Sequence, residues 1–365
     1  MNITEIFFKD WRNLAEVTFR PDAATNIFLG QNAQGKTNIL EAINFASLLR
    51  SRASKESELI RWGEKVAILR ISYSKADVSH ELAIEISSER KRRIFLDGNP
   101  IRPRELIGKL NSVFFSPEDL FMFKGAPATR RKFLDAQISQ ATPIYFLELA
   151  KYTKLVEVRN VLLKKVRDGL ADATELDLWD EQLADAAEKV ISKRQRAITK
   201  LNFLANSIQR KISAQAENLS VAYEMRGLDS VENIAANFLN LLRTKRAKDI
   251  QSGSTGFGPH RDDLKFFINE RELKLYGSQG QLRTVALALK LSELQFLKAE
   301  TGEYPLLLLD DVMSELDSTR REMLLDFLSR EGIQTLITAT DRAYFPSKLF
   351  GKIFSVAAGR VSNGV

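Results

Sequence analysis

Gly30-Gln31-Asn32-Ala33-Gln34-Gly35-Lys36-Thr37 matches the phosphate-loop pattern G-x-x-x-x-G-K-[ST] at every defined position. The flanking residues supply the setting that the pattern needs. Asn26 to Leu29 reads as a short apolar strand, and beyond Thr37 the residues Ile39, Leu40, Ile43 and Ala46 recur at helical spacing. Strand, glycine loop and helix in this order make a phosphate site, because loop amides at a helix N-terminus converge on phosphate oxygens and the Lys36 ammonium adds a cation. Thr37 offers its hydroxyl to magnesium, an ion that keeps waters and takes few protein oxygens. The whole run from Gly30 to Thr37 is therefore the expected nucleotide-binding segment.

Outward from the loop, Ile3 to Phe8 and Glu16 to Phe19 read as strands on the N-terminal side. Val66 to Tyr73, Glu81 to Ile86 and Arg93 to Leu96 read as strands on the other, with a basic tip at Ser88 to Arg92 and a turn at Asp97-Gly98-Asn99-Pro100. An antiparallel subsheet is expected here. From Thr129 to about Gln215 glycine and proline almost vanish and apolar residues fall at helical intervals. Thr142-Pro143 reads as a cap and first helical residue, Gly169 as a stop, and Thr174 to Gln215 as one helix of about 60 Å at 1.5 Å per residue. Helix and strand signals return at Val231 to Leu242, Leu264 to Ile268 and Leu273 to Leu275. The expected architecture is α/β, with a discontinuous head over 1–124 and 245–365 and a helical arm inserted at 125–244.

The chain has 365 residues, 44% of them apolar and 28% charged, enough for a sizeable core in roughly two domains. Cysteine is absent, which excludes disulfides, a thiol nucleophile and Cys-ligated metal. No stretch is apolar enough to cross a membrane, and the first residues lack a signal-peptide pattern, so the cytoplasm is the expected compartment. Lysine and arginine number 54 against 47 acids, a net charge of +7 that suits a polyanionic partner.

Two further stretches bear on the phosphate site. Leu306-Leu307-Leu308-Leu309-Asp310-Asp311 reads as a strand buried on both faces that ends in two acids at the ligand edge of a sheet. Asp310 would partner the magnesium held with Thr37, and Asp311 would polarise an attacking water. Upstream, Ser278-Gln279-Gly280-Gln281 opens a helix rich in Val285, Leu287, Leu289 and Leu291. Read locally, Ser278 is a helix N-cap; read with the phosphate loop, it belongs to a second anion site.

GQNAQGKT, GSQGQ, LLLLDD and Ser314-Glu315-Leu316-Asp317 stand in the order found in ABC-type chromosome and repair ATPases. Within that group the chain closely resembles the RecF family of recombination mediators. Phe115-Ser116-Pro117-Glu118-Asp119, Arg130-Arg131-Lys132-Phe133-Leu134-Asp135 and Gly258-Pro259-His260-Arg261-Asp262-Asp263 carry the likeness too, which runs from about residue 3 to 345. The resemblance implies an ABC-type ATPase head that dimerises around two ATP molecules. Each ATP would be held by one subunit's phosphate loop and capped in trans by Ser278, Gly280 and Gln281 of the other. It further implies binding to double-stranded DNA and to single-strand/double-strand junctions, cooperation with RecR and RecO, and help in loading RecA at gaps.

The resemblance implies a weak, DNA-dependent ATPase, and departures from the wider superfamily point to slow hydrolysis. Asp311 replaces the usual glutamate with a carboxylate one methylene shorter. No glutamine stands at Phe114 to Ser116, and Thr338-Ala339-Thr340-Asp341 lacks a switch histidine, leaving Thr340 as the expected γ-phosphate sensor. His260 fits either a structural turn or a catalytic role.

For DNA contact, Lys189, Lys193, Arg196 and Lys200 place four cations along one face of the long helix. The same spacing also suits a solvated face paired with acids. Arg130 and Arg131, and the tip from Arg90 to Arg93, are further candidates. Without interleaved aromatics, backbone contact with little sequence readout is expected. Other readings are an ATPase subunit of an SMC-like nuclease or chromosome-organising complex, or a transporter motor.

Overall fold

A computed structural model of the chain describes residues 1–51, 53–228, 230–346 and 351–364. Its contacts divide it into two units, 1–120 with 286–365, and 121–285.

The first unit holds two sheets. Strands β1 (Asn2–Trp11), β2 (Leu14–Phe19), β4 (Val66–Lys75), β5 (Val78–Ser87), β6 (Arg93–Leu96) and β7 (Asn99–Pro100) form an antiparallel sheet in the order β2-β1-β4-β5-β6-β7. The second is mixed and comprises β3 (Thr25–Leu29), β8 (Ser112–Phe115), β12 (Leu306–Asp310), β13 (Thr335–Ala339), β14 (Gly351–Ala357) and β15 (Arg360–Asn363), in the order β15-β14-β3-β13-β12-β8. All pairs there are parallel except β14 with β15. Every residue of β12 and β13 is buried, which is why their sequences run apolar without alternation.

Helix α1 (Lys36–Leu48) buries Ile39, Leu40, Ile43, Phe45 and Ala46 in a core shared with both sheets. Phe19 meets Phe28 edge-on at 5.2 Å, and Phe28 stacks on Phe354 at 5.1 Å, so aromatic rings tie β2 to β3 and β14. Gln334 adds a polar tie: its side chain accepts from the Ile3 amide at 2.6 Å and donates to the Ile3 and Asp22 carbonyls, each at 2.8 Å. The short helix α2 (Pro103–Leu106) and α10 (Ser318–Glu331) also belong to this unit.

The second unit contains α3 (Phe121–Lys124), α4 (Pro127–Ala141), α5 (Pro143–Arg167), α6 (Leu176–Ile212), α7 (Ile234–Ser252) and α8 (Leu273–Tyr276). Its three strands run in the order β11 (Arg271–Glu272), β10 (Asp263–Ile268), β9 (Leu219–Glu224). The long helix spans 37 residues and packs against α5, α7 and β9. Its buried face includes Arg194, which forks onto Asp135 at 2.9 and 3.0 Å; nearby Arg159 joins Asp180 at 2.6 Å and Asp249 at 2.7 Å. Removing one member of such a buried pair would leave the other charge uncompensated.

The division departs from the sequence expectation. Residues 245–285, assigned to the head from sequence, group with the long helices, because β10 pairs with β9 from Asp263↔Glu224 to Ile268↔Leu219 and Asp249 is bound to Arg159. Leu273 to Leu275 lie in the short helix α8. Helix α9 (Gln279–Thr301) carries the chain from the second unit back into the first.

Candidate functional site

The phosphate loop is shaped by two glycines that no other residue could replace without displacing backbone or a bracing side chain. A Cβ on Gly30 would lie 2.2 Å from the Val356 carbonyl oxygen. Gly35, at φ +109°, caps α1, and a Cβ there would meet the Asn13 amide at 2.6 Å. Since Gly35 brings no side-chain cap, the first-turn amides of α1 are left for a ligand.

The loop is braced from behind. Asn13 Nδ2 and the Gly359 amide each donate to the Gln34 carbonyl at 3.0 Å, and the Ala358 amide donates to Gln34 Oε1 at 2.7 Å. Asn38 donates to Asn13 Oδ1 at 2.8 Å and accepts from Arg12 at 3.0 Å. Gln34 is thus spent on bracing. Lys36 Nζ donates to the carbonyls of Gly30 at 2.7 Å and Gln31 at 2.8 Å. Burial lowers the Lys36 pKa, against the opposing pull of Asp311 and Asp310.

Strand β12 ends beside this loop. Asp310 Oδ1 accepts hydrogen bonds from Thr37 Oγ1 at 2.9 Å and Thr338 Oγ1 at 2.8 Å. The Asp311 amide donates to Thr338 Oγ1 at 2.9 Å, and Asp311 itself sits at φ +52°, in the left-handed region. Asp311 Oδ1 is buried without a hydrogen-bond partner. Burial raises its pKa, with Lys36 opposing and Asp310 and Glu315 adding to the rise.

These side chains line one cleft of about 160 Å³, with Asn32, Ala33, Gly35, Lys36, Thr37, Asn38, Asp310, Asp311 and Thr338 on its wall. A threonine hydroxyl and an aspartate oxygen 2.9 Å apart suit a small hard cation that completes its shell with water. No group of three or more acids or histidines suited to a metal occurs among the described residues.

Lys36, Thr37, Asp310 and Asp311 are therefore brought together as the sequence predicts. Gly30, Gln31 and Gln34 shape or brace the loop instead of lining the cleft. Thr340, one residue beyond β13, is not on the cleft wall; Thr338 is, in register opposite Asp310. Sequence reading passes over Thr338, whose only signal is a hydroxyl within a buried apolar strand.

Ser278, Gly280 and Gln281 lie in the second unit, where Ser278 and Gly280 are exposed. Ser278 and Gln281 form a reciprocal cap: Gln281 N–H donates to Ser278 Oγ at 3.2 Å, and Ser278 N–H donates to Gln281 Oε1 at 3.0 Å. Gln281 Nε2 also donates to Glu217 Oε1 at 2.9 Å, while Gln209 of α6 donates to Glu217 Oε2 at 2.6 Å. One carboxylate thus connects the long helix to the start of α9.

The cationic candidates separate. Lys189, Arg196 and Lys200 are exposed, whereas Lys193 binds Glu148 at 2.5 Å. Arg130 is 2% exposed, forks onto Asp263 at 2.7 and 2.8 Å and donates to the Met122 and Gly125 carbonyls. Its donors are engaged within the unit, where α4 packs against β10. Arg131, half-buried, donates to the Asp262 carbonyl at 2.7 Å, which leaves it poorly placed for DNA as well. His260 lies 2.6 Å from Tyr152 Oη through Nδ1 and 3.0 Å from the Thr255 carbonyl through Nε2, a structural setting.

The sequence pattern defining the RecF/RecN/SMC N terminal domain matches residues 2–359. The DNA replication and repair protein RecF of Halothermothrix orenii is 44% identical over 93% of this chain and 92% of its own length. The solved structure of the recombination mediator protein RecF with ATP, in the RecFOR pathway, shares 37% identity and a TM-score of 0.92, covering 100% of this chain and 97% of that one. An Smc head bound to the C-winged helix domain of ScpA, at 16% identity and a TM-score of 0.59, shares the fold alone. The mixed α/β architecture is thus that of the ABC-type ATPase head. No helix among the described residues is long and apolar enough to cross a membrane. By this likeness, by its phosphate loop and by its paired strand-end aspartates, the chain belongs to the RecF family of DNA replication and repair proteins.

Proposed function

We propose that the protein is an ATP-gated DNA-binding dimer that hydrolyses ATP slowly and, with RecO and RecR, helps to load RecA at single-strand gaps. The observation that carries the ATP reading is the Thr37–Asp310–Thr338 constellation beside the Lys36 ammonium. Its chemistry suits a triphosphate with magnesium: Thr37 and Asp310 would hold the ion, and the first-turn amides of α1 with Lys36 would hold phosphate oxygens. Bound magnesium neutralises phosphate charge.

Asp311, with one buried oxygen free of hydrogen bonds, is the group available to orient a water. Its side chain, one methylene shorter than glutamate, supports a low rate. The exposed, self-capped Ser278 supports contact in trans, since its helix start presents an oriented dipole on an open surface. DNA binding is supported by the net charge of +7 and by the names of the relatives, and on α6 it falls to Lys189, Arg196 and Lys200.

The test is titration of a fluorescent ATP analogue and of a gapped duplex into wild type and Lys36→Met. Wild type should bind both, with the DNA affinity raised by ATP. Equal behaviour of the two proteins would refute the assignment.

A further inference from the structure

Trp62 is 99% exposed, while Trp11 is 1% exposed and Trp179 is half-buried. An indole left wholly in water forgoes the burial that aromatic side chains ordinarily supply to a core. The turn that carries it is nevertheless firmly held. The Arg61 amide donates to the Asp10 carbonyl at 2.8 Å, the Arg12 amide to Leu59 at 2.8 Å and the Glu64 amide to Arg61 at 3.0 Å, while Gly63 adopts φ +89°. The ring is displayed on a fixed turn, so a ligand would meet it with little ordering cost.

The basic tip between β5 and β6 reaches the same end of the antiparallel sheet. The Ser88 amide donates to the Lys65 carbonyl at 3.1 Å, Lys65 pairs with Glu89 at 2.7 Å, and Arg92 pairs with Glu56. Residues 55–65 and 88–93 together hold seven cations against four carboxylates. Arg90 and Lys91 are exposed and, among the described residues, have no ion-pair partner. No other large apolar side chain is exposed in either segment. A lone aromatic ring among cations is the composition of a nucleic-acid platform, whereas a protein-docking patch would need contiguous apolar surface.

We infer that Trp62, Arg90 and Lys91 form a nucleic-acid contact in which the indole stacks on an unpaired base beside a duplex and the two cations take adjacent phosphates. This rests on the DNA-binding reading above and gives it a place and a structural preference. The site also touches the nucleotide machinery: Arg12, whose amide holds Leu59, donates to Asn38, and neighbouring Asn13 braces Gln34 of the phosphate loop.

The test compares the full-length wild type, Trp62→Phe, Trp62→Ala and Arg90→Ala/Lys91→Ala, each checked for an unchanged melting temperature. Each is titrated with a gapped duplex and with a fully paired duplex while tryptophan emission is followed. The gapped duplex should quench an emission component that Trp62→Phe lacks. Trp62→Ala should weaken gapped-duplex binding about fivefold or more and paired-duplex binding less than about twofold. The double variant should weaken both and lower the salt slope by about two.

Emission unmoved by bound gapped duplex, with Trp62→Ala binding as wild type, would overturn this inference while leaving DNA binding itself intact. Wild type that binds neither DNA, with or without ATP, would overturn the underlying reading too. Loss of ATP-dependent self-association by Trp62→Ala in the absence of DNA would make the surface a protein interface and refute the assignment.

Discussion

Thr338 holds Asp310 by a hydrogen bond of 2.8 Å from its hydroxyl, and the same oxygen accepts the Asp311 amide at 2.9 Å. One side chain on β13 thereby fixes both carboxylates at the end of β12. The parallel register, Asp310 opposite Thr338, makes this possible.

Thr338→Val keeps the shape and removes the hydroxyl. The Asp310 oxygen then keeps only Thr37, and the Asp311 amide loses its partner. We expect kcat for ATP to fall about tenfold or more with little change in ATP affinity, and Thr338→Ser to recover most of the loss. A variant with normal turnover would remove Thr338 from the site.

Lys36 and Ser278 should fail differently. Lys36→Met should lose ATP binding and therefore ATP-dependent association. Ser278→Arg should bind ATP as a monomer and fail to associate, since in the proposed dimer the exposed Ser278 meets the partner's ATP. Equilibrium binding and sedimentation of the two variants distinguish these outcomes, and loss of ATP binding by Ser278→Arg would place Ser278 in cis.

Arg130 is expected to matter for stability and not for DNA. Arg130→Ala leaves Asp263 and two carbonyls without their donor, at a cost of about 3 kcal/mol. Chemical denaturation should register the loss, while the salt dependence of duplex binding stays unchanged. A lowered salt slope in a well-folded Arg130→Ala protein would return the residue to the DNA surface.

His260 should make the second unit sensitive to acid. Burial lowers its pKa to about 4 from 6.5; the hydrogen bond to Thr255 opposes the shift, and Arg261, Arg131 and Arg194 reinforce it. A carbonyl only accepts, so Nε2 carries the proton toward Thr255 and Nδ1 accepts from Tyr152. The neutral ring is the folded form. Its contribution is complete above pH 6.5 and is lost as pH falls from there toward about 4, on the order of 3 kcal/mol in all. Thermal unfolding followed across that window should show the decline, and His260→Asn should flatten it.

The phosphate loop and the β12 aspartates are legible in the sequence because each is a contiguous run whose chemistry is local. Thr338 is not, since its role arises from register between parallel strands whose facing residues, Asp310 and Thr338, are far apart in the chain. The grouping of residues 245–285 with the second unit is hidden for the same reason, resting on the pairing of β9 with β10 across α7. Arg130 misleads because α4 buries Asp135, Gln137 and Gln140 alongside it, so apolar spacing does not mark the inner face. The Trp62 cluster joins an aromatic and cations from separate loops, which no linear pattern brings together.

Sedimentation of the purified protein in saturating magnesium-ATP, with and without a gapped duplex, shows whether ATP joins two copies. We expect a monomer without ATP, a dimer with it, and tighter hold on the DNA in the dimer. A protein that stays monomeric in ATP and holds the duplex with unchanged affinity would contradict this expectation.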